Sequence, residues 1–159
     1  MPLPSLELIV ESDWIDAYGH MNAACYVAVF DRLGFELLQE CGVGLDYTEA
    51  SGSGIYTVEL HTSYHREVLK GDPLRLQLRL LECDEKRLIV LFELFQTRDR
   101  YLAATMEQLS IHVDLSTRRV TPFPEPVRGN LERLICEHRN APEVAKYAKR
   151  LNMRRAISS

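Results

Sequence analysis

Hydrophobic and polar positions alternate at the start of the chain: Leu6, Leu8 and Val10 against Glu7, Ile9 and Glu11, predicting a short strand within 5–13. A loop, Trp14 to Gly19, follows. From Asn22 the period changes. Tyr26, Phe30, Leu33, Leu37 and Cys41 recur at spacings of three and four, one stripe of a helix about five turns long. Asn22 suits the N-cap, and Gly42 suits the left-handed residue that ends a helix. Val27 and Val29 lower its propensity, so packing must hold it.

After Ser51–Gly54 the pattern becomes that of strands. Ile55 to Val68 is rich in β-branched and aromatic residues, and Gly71-Asp72-Pro73 marks a turn. Leu74, Leu76, Leu78 and Leu80 alternate with Arg75, Gln77 and Arg79, a half-buried strand. Asp84-Glu85-Lys86 reads as a hairpin turn. Leu88 to Phe95 is apolar on both parities except Glu93, as in a central strand covered on both faces. A turn at Arg98-Asp99-Arg100 leads to a last strand, Tyr101 to Val113, ended by prolines 122, 124 and 126. Beyond Pro126, Leu131, Leu134 and Ile135, and then Val144, Tyr147 and Leu151, predict C-terminal helices. The order is strand, long helix, four strands and helices. It predicts an α+β fold in which a largely antiparallel sheet buries the helix stripe.

The length of 159 residues suits one domain, expected as a body at 1–125 with a C-terminal helical extension of it at 126–159. A net charge of -4 gives no general reason to bind nucleic acid or an anionic membrane. The basic run Lys146, Lys149, Arg150, Arg154 and Arg155 reads as a solvated helix end or tail. There is no secretory pattern at the N-terminus and no apolar run long enough to span a bilayer. Cys25, Cys41, Cys83 and Cys136 are scattered without a CxxC pair, so a reducing cytoplasm is the expected setting.

The chemistry concentrates in Asp16-Ala17-Tyr18-Gly19-His20-Met21-Asn22, just ahead of the long helix. A carboxylate beside free N–H groups at a helix start can attack an activated carbonyl, or activate water to do so, and hold the resulting oxyanion. Asp16 in an Asx-turn and Asn22 as a cap are the structural alternatives. His20 can bond Asp16 or a substrate oxygen, or simply link loop to helix. His61 and His65, on one face of a strand, would lie about 13 Å apart, too far to share a metal. Cys25 lies in the first helical turn, which can lower a thiol pKa, but a buried structural cysteine is the commoner case. No phosphate-binding glycine loop is present.

Asp16-x-x-Gly19-His20-x-Asn22 resembles the signature of hotdog-fold acyl-CoA thioesterases of the 4-hydroxybenzoyl-CoA thioesterase-like group. One departure is Trp14, where members often carry another Asp; Asp13 sits one residue further back. The resemblance covers about the first 125 residues. It implies a curved antiparallel sheet of about five strands wrapped around one long central helix. It also implies an acyl-CoA substrate with a small or medium acyl group, and no cofactor other than the coenzyme A that the substrate carries.

By match, Asp16 is the catalytic carboxylate, as nucleophile or general base, and Gly19 and His20 supply oxyanion contacts. Trp14, Tyr18, Asn22, Glu59 and Tyr64 become candidate substrate contacts, the last two because their strand runs near the neighbouring subunit's site. Arg66, Lys70, Arg98 and Arg100 are candidate CoA-phosphate contacts. Hotdog sheets pair across subunits, so the resemblance implies a homodimer or homotetramer. Tyr56-Thr57-Val58-Glu59, Asp84-Glu85-Lys86-Arg87-Leu88, and Glu107-Gln108 through His112-Val113-Asp114 resemble the thioesterase domain associated with carnitine dehydrogenase. That subgroup implies betainyl-CoA. Aromatic rings at Trp14, Tyr18 and Tyr64 could then cage a quaternary ammonium group, or as easily line an aryl or short alkyl pocket or pack in the core. The competing classes are a non-hydrolytic acyl-CoA-binding module of the same fold and a hotdog hydratase or dehydratase, which sets its His and acid on the helix.

Overall fold

The computed structural model describes residues 3–141 together with Leu151 and Met153. Strand β1 (Ser5–Ile9) is followed by a single 3-10 turn at Ser12–Trp14 and by helix α1 (Ala23–Glu40). Asn22 caps α1: its side-chain oxygen accepts the Ala24 N–H at 2.9 Å. Gly42, at φ 80°, provides the left-handed exit. A short helix α2 (Leu45–Ser51) comes next, then β2 (Ser53–Tyr64), β3 (Pro73–Cys83), β4 (Arg87–Gln96), β5 (Tyr101–Asp114), β6 (Arg119–Val120) and α3 (Glu125–Arg139).

The sheet is antiparallel throughout, in the order β1-β3-β4-β5-β2, with β6 paired to β5. The predicted strands appear with three differences. The second strand stops at Tyr64 rather than Val68. It does not form a hairpin with β3; it crosses the sheet to pair with β5, so residues 65–72 are a crossover. Both α2 and β6 were absent from the hydrophobic pattern, because each is too short to show a period.

Helix α1 lies in the concave face. Tyr26, Val29, Phe30, Leu37 and Leu38 join Leu74, Leu76, Leu78, Leu80, Leu88, Val90, Phe92, Leu94, Ala104 and Met106 in one core. Gly34 sets the depth of that packing: a Cβ there would stand 2.6 Å from the Phe92 ring. Leu88 to Leu94 are buried on both parities, as a central strand requires. The opposite face buries Ile89 and Leu109 against Leu151 and Met153. Of the predicted C-terminal helices the first is α3. Val144 and Tyr147, and the basic run from Lys146 to Arg155, lie outside the described residues, and Leu151 is described but not helical.

The free part of the β3 edge is closed by side chains. β1 pairs with β3 only from Pro73 to Gln77. Beyond it, the Leu80 N–H donates to Nδ1 of His138 at the end of α3, at 2.9 Å. Arg79 Nη1 donates to the His138 carbonyl at 2.9 Å while its Nε meets Glu93 at 3.3 Å. The imidazole thus takes up a bond that a further strand would make, and the guanidinium ties β3 to the end of α3.

Candidate active site

Residues 14–22 form a closed turn. Asp16 N–H donates to the His20 carbonyl at 3.1 Å, Gly19 N–H to the Asp16 carbonyl at 3.0 Å, and Asn22 N–H to the Trp14 carbonyl at 2.8 Å. Ile15 and Met21 bridge across it. The turn is pinned to the body through Met21, which is fully buried and donates to the Val68 carbonyl at 3.0 Å. Gly19 stands at φ 84° with open space where a Cβ would be, so glycine is required here by the backbone conformation rather than by crowding.

The Asp16 carboxylate is held at both oxygens. Tyr18 N–H donates to Oδ1 at 2.8 Å, and Asn22 Nδ2 to Oδ2 at 3.4 Å. The Asx-turn and the helix cap are therefore part of the arrangement that aims the carboxylate. Asn22 does both, capping with its oxygen and holding Asp16 with its nitrogen. Gly19 differs from its expected role as a donor, since its N–H is committed to Asp16 within the turn. The N–H of His20 has no acceptor among the described residues, and the first turn of α1 begins three residues on. The His20 ring bonds the Met21 carbonyl through Nδ1 at 3.2 Å and stacks on Tyr18, centroids 6.2 Å apart.

His20, Met21, Ala23, Tyr26, Tyr64, His65, Arg66 and Glu67 line a cavity of about 260 Å³ beside the turn. Tyr64 O–H donates to the Ala23 carbonyl at 2.9 Å, locking the end of β2 to the start of α1. Burial pushes the Tyr26 phenol up to about 12, against the lowering effect of its hydrogen bond with the Val68 backbone, so the phenol keeps its proton. Arg66 stands over the Tyr101 ring at 4.1 Å.

The other expected contacts are dispersed. Trp14 lines a separate cavity of about 240 Å³ with Cys25, Ala28, Val29, Arg32 and Leu33. Tyr18 is 86% exposed. Trp14, Tyr18 and Tyr64 therefore do not close on one another as a cage. Glu59 pairs with Leu109 of the outer cluster whereas Tyr64 pairs with Ala104 of the core, so the two occupy opposite faces of β2. Arg66 alone of the four basic candidates borders the cavity at His20. Arg98 is tied to Asp72 at 3.3 Å, and Lys70 and Arg100 are exposed turn residues, Arg100 at φ 57°. His65 falls one residue past β2 and meets Thr105 Oγ1 at 3.3 Å. Glu67 in the cavity wall and Asp31 in a third cavity were not marked by any motif, while His65 was weighed only as a metal ligand and Gln108 only as part of the subgroup match.

The model of the thioesterase-like superfamily matches residues 10–131, which include the whole Asp16 turn and the sheet. The chain belongs to the thioesterase-like superfamily. This thioesterase is 31% identical to a betainyl-CoA thioesterase of Pseudomonas aeruginosa over 88% of each chain. It is 35% identical to an L-carnitine dehydrogenase/betainyl-CoA thioesterase of Agrobacterium fabrum, over 86% of this chain and 28% of that protein. Among solved structures, a Staphylococcus aureus protein in complex with CoA matches with a TM-score of 0.80 and 26% identity, over 94% of this chain and 96% of that one. A 1,4-dihydroxy-2-naphthoyl-CoA thioesterase from Synechocystis, at 17% identity and a TM-score of 0.69, covers 86% of this chain and 98% of that one and shares the fold. The hotdog architecture expected from the sequence is thus the architecture of the molecule.

Proposed function

We propose that this thioesterase hydrolyses betainyl-CoA, releasing glycine betaine and coenzyme A, at a site built on Asp16. The observation that carries the substrate is the 31% identity to a betainyl-CoA thioesterase along 88% of both chains. The geometry supports the chemistry. A carboxylate held at both oxygens by Tyr18 N–H and Asn22 Nδ2 cannot swing away from the turn. As general base it takes a proton from the water that attacks the thioester carbon; as nucleophile it attacks that carbon itself, and water then cleaves the anhydride. Either route pushes charge onto the thioester oxygen and expels the CoA thiolate. The His20 N–H and the start of α1 are the donors to that oxygen, a placement worth on the order of 3 kcal/mol in the barrier. Arg66, in the wall of the cavity beside His20, would meet a CoA phosphate, and no step calls for a metal or a redox cofactor.

In this reading the enzyme works as a homodimer joined along β2. That strand is an edge of the sheet, and it exposes Tyr56, Val58, Leu60 and Tyr64. A second copy pairing with it antiparallel would cover them and continue the sheet across a two-fold axis. The scattered cysteines, free where described, suit a reducing cytoplasm.

The test is release of free thiol from betainyl, short-chain, aryl and long-chain CoA esters, with Asp16→Asn alongside. Betainyl-CoA is expected to be the best substrate, and the variant is expected to lose about 10²–10⁴-fold in kcat/KM with its fold intact. A preference for another ester would overturn the substrate. Undiminished turnover in the variant would overturn the role of Asp16.

A further inference from the structure

The Asp16 turn takes its position from a segment that belongs to no strand. Among the described residues, Met21 N–H makes the only backbone bond from residues 14–22 to a part of the chain distant in sequence. Its acceptor is the Val68 carbonyl, in the crossover 65–72. Met21 and Val68 are both fully buried, so water cannot stand in for that bond. Where Val68 stands therefore decides where the turn stands.

A strand fixes its carbonyls by a ladder of bonds; the centre of the crossover has none. Its ends are tied down. His65 and Arg66 N–H groups share the Ala103 carbonyl at 2.8 and 3.1 Å, and Leu69 N–H donates to Asp72 Oδ2 at 2.9 Å. Between them lies the peptide unit that joins Glu67 to Val68, and two phenols hold it. Tyr101, the first residue of β5, donates its hydroxyl to the Glu67 carbonyl at 2.7 Å. Burial, and after it the nearby Asp72 carboxylate, raises the Tyr101 pKa, so the hydroxyl keeps the proton it donates. Tyr26, in the first turn of α1, bonds the Val68 backbone. That bond lowers the phenol's pKa, as a donor to its oxygen does, so the partner is the Val68 N–H. The carbonyl and the N–H of a trans peptide point in opposite directions, so the two phenols grip one plane from its two edges.

We infer that Tyr26 and Tyr101 are positioning residues for thioester hydrolysis: by clamping the Glu67–Val68 peptide they set the Val68 carbonyl and, through Met21, the turn that aims Asp16. The inference rests on the role proposed for Asp16. Neither phenol bonds the carboxylate, whose partners are Tyr18 N–H and Asn22 Nδ2. Their effect is on alignment. A misplacement of about 1 Å can cost about 10²-fold in rate, so a peptide loosened by a fraction of that costs about tenfold.

The experiment measures kcat and KM on whichever CoA ester the native enzyme cleaves best, for Tyr26→Phe, Tyr101→Phe, the double variant and Asp16→Asn, each well below its melting temperature. The Phe variants remove one oxygen apiece; Tyr101→Phe leaves the ring over which Arg66 stands, and Tyr26→Phe leaves the ring in the core. Each single variant is expected to lose about tenfold in kcat with KM within about twofold of native. The double variant is expected to lose far less than the product of the two, because both phenols act on one peptide unit. Native kcat in either single variant, a change confined to KM, or losses that multiply would overturn the clamp. A further comparison separates alignment of Asp16 from support of the fold. Added to Asp16→Asn, Tyr101→Phe is expected to cost less than about twofold, since no carboxylate remains to be aimed. Another tenfold loss there would show that Tyr101 acts on something other than Asp16. Undiminished turnover in Asp16→Asn itself would instead sink the reading of Asp16, and the clamp's purpose with it.

Discussion

Asn22 shows how much one residue does at this site. Its oxygen caps α1 and its nitrogen holds Asp16, two bonds that the identity of the side chain separates. Asn22→Ala removes both. It is expected to cost about 1 kcal/mol of stability, read by chemical denaturation, together with a fall in kcat. Asn22→Ser restores a capping oxygen but not the amide donor. Stability is expected to return while kcat stays low; recovery of both would show that the bond to Asp16 is idle. The carboxylate itself was legible in the sequence, since the Asp-x-x-Gly-His-x-Asn spacing placed it in a loop ahead of a capped helix. The use of the Gly19 N–H inside the turn was not legible, because motif spacing does not say where a backbone donor points.

Elements followed the hydrophobic pattern where they are long and one-sided. Tyr26, Phe30, Leu37 and Cys41 of the α1 stripe and the leucines at 74, 76, 78 and 80 in β3 are buried as read, since each element has enough turns or pleats for the period to show. Leu33 is only half-buried, and Arg79, on the polar side of the alternation, is buried by its bonds to Glu93 and His138. The pattern was silent about what closes the upper edge of β3. That closure gives the element a pH dependence. Burial, and after it the nearby Arg79 charge, lowers the pKa of His138 from its ordinary 6.5. A depressed folded-state pKa means that the unfolded chain takes up the proton first, so the contribution is whole above 6.5 and is lost as pH falls through the lowered folded value. Protonation would also put a hydrogen on the Nδ1 that accepts from Leu80. Thermal melts between about pH 7 and pH 5 are expected to show Tm falling for the native protein, and falling less for His138→Gln. Parallel slopes would assign the acid sensitivity to other groups.

At the scale of the whole molecule the open question is the edge of β2. Leu60 is 46% exposed on an edge strand in which only Gly54 is buried. Leu60→Arg puts a charge where a second copy would press, at little cost to a protomer in which that side chain already meets water. Light scattering is expected to show monomers, with the circular dichroism spectrum retained and thioesterase turnover lost. A fully active monomer would mean that each chain completes its own site.

The linear pattern determined the elements with a clear period, the antiparallel class of the sheet, and the turn that carries Asp16, because each depends on residues near in sequence. The strand order, with β2 at the far edge rather than beside β3, depended on which faces could be buried together. The same packing set Glu59 and Tyr64 on opposite faces, scattered the aromatic candidates, and gathered Asp31, Thr57 and Gln108 around one cavity. Those residues lie far apart along the chain, and only burial of the shared core brings them within reach of one another.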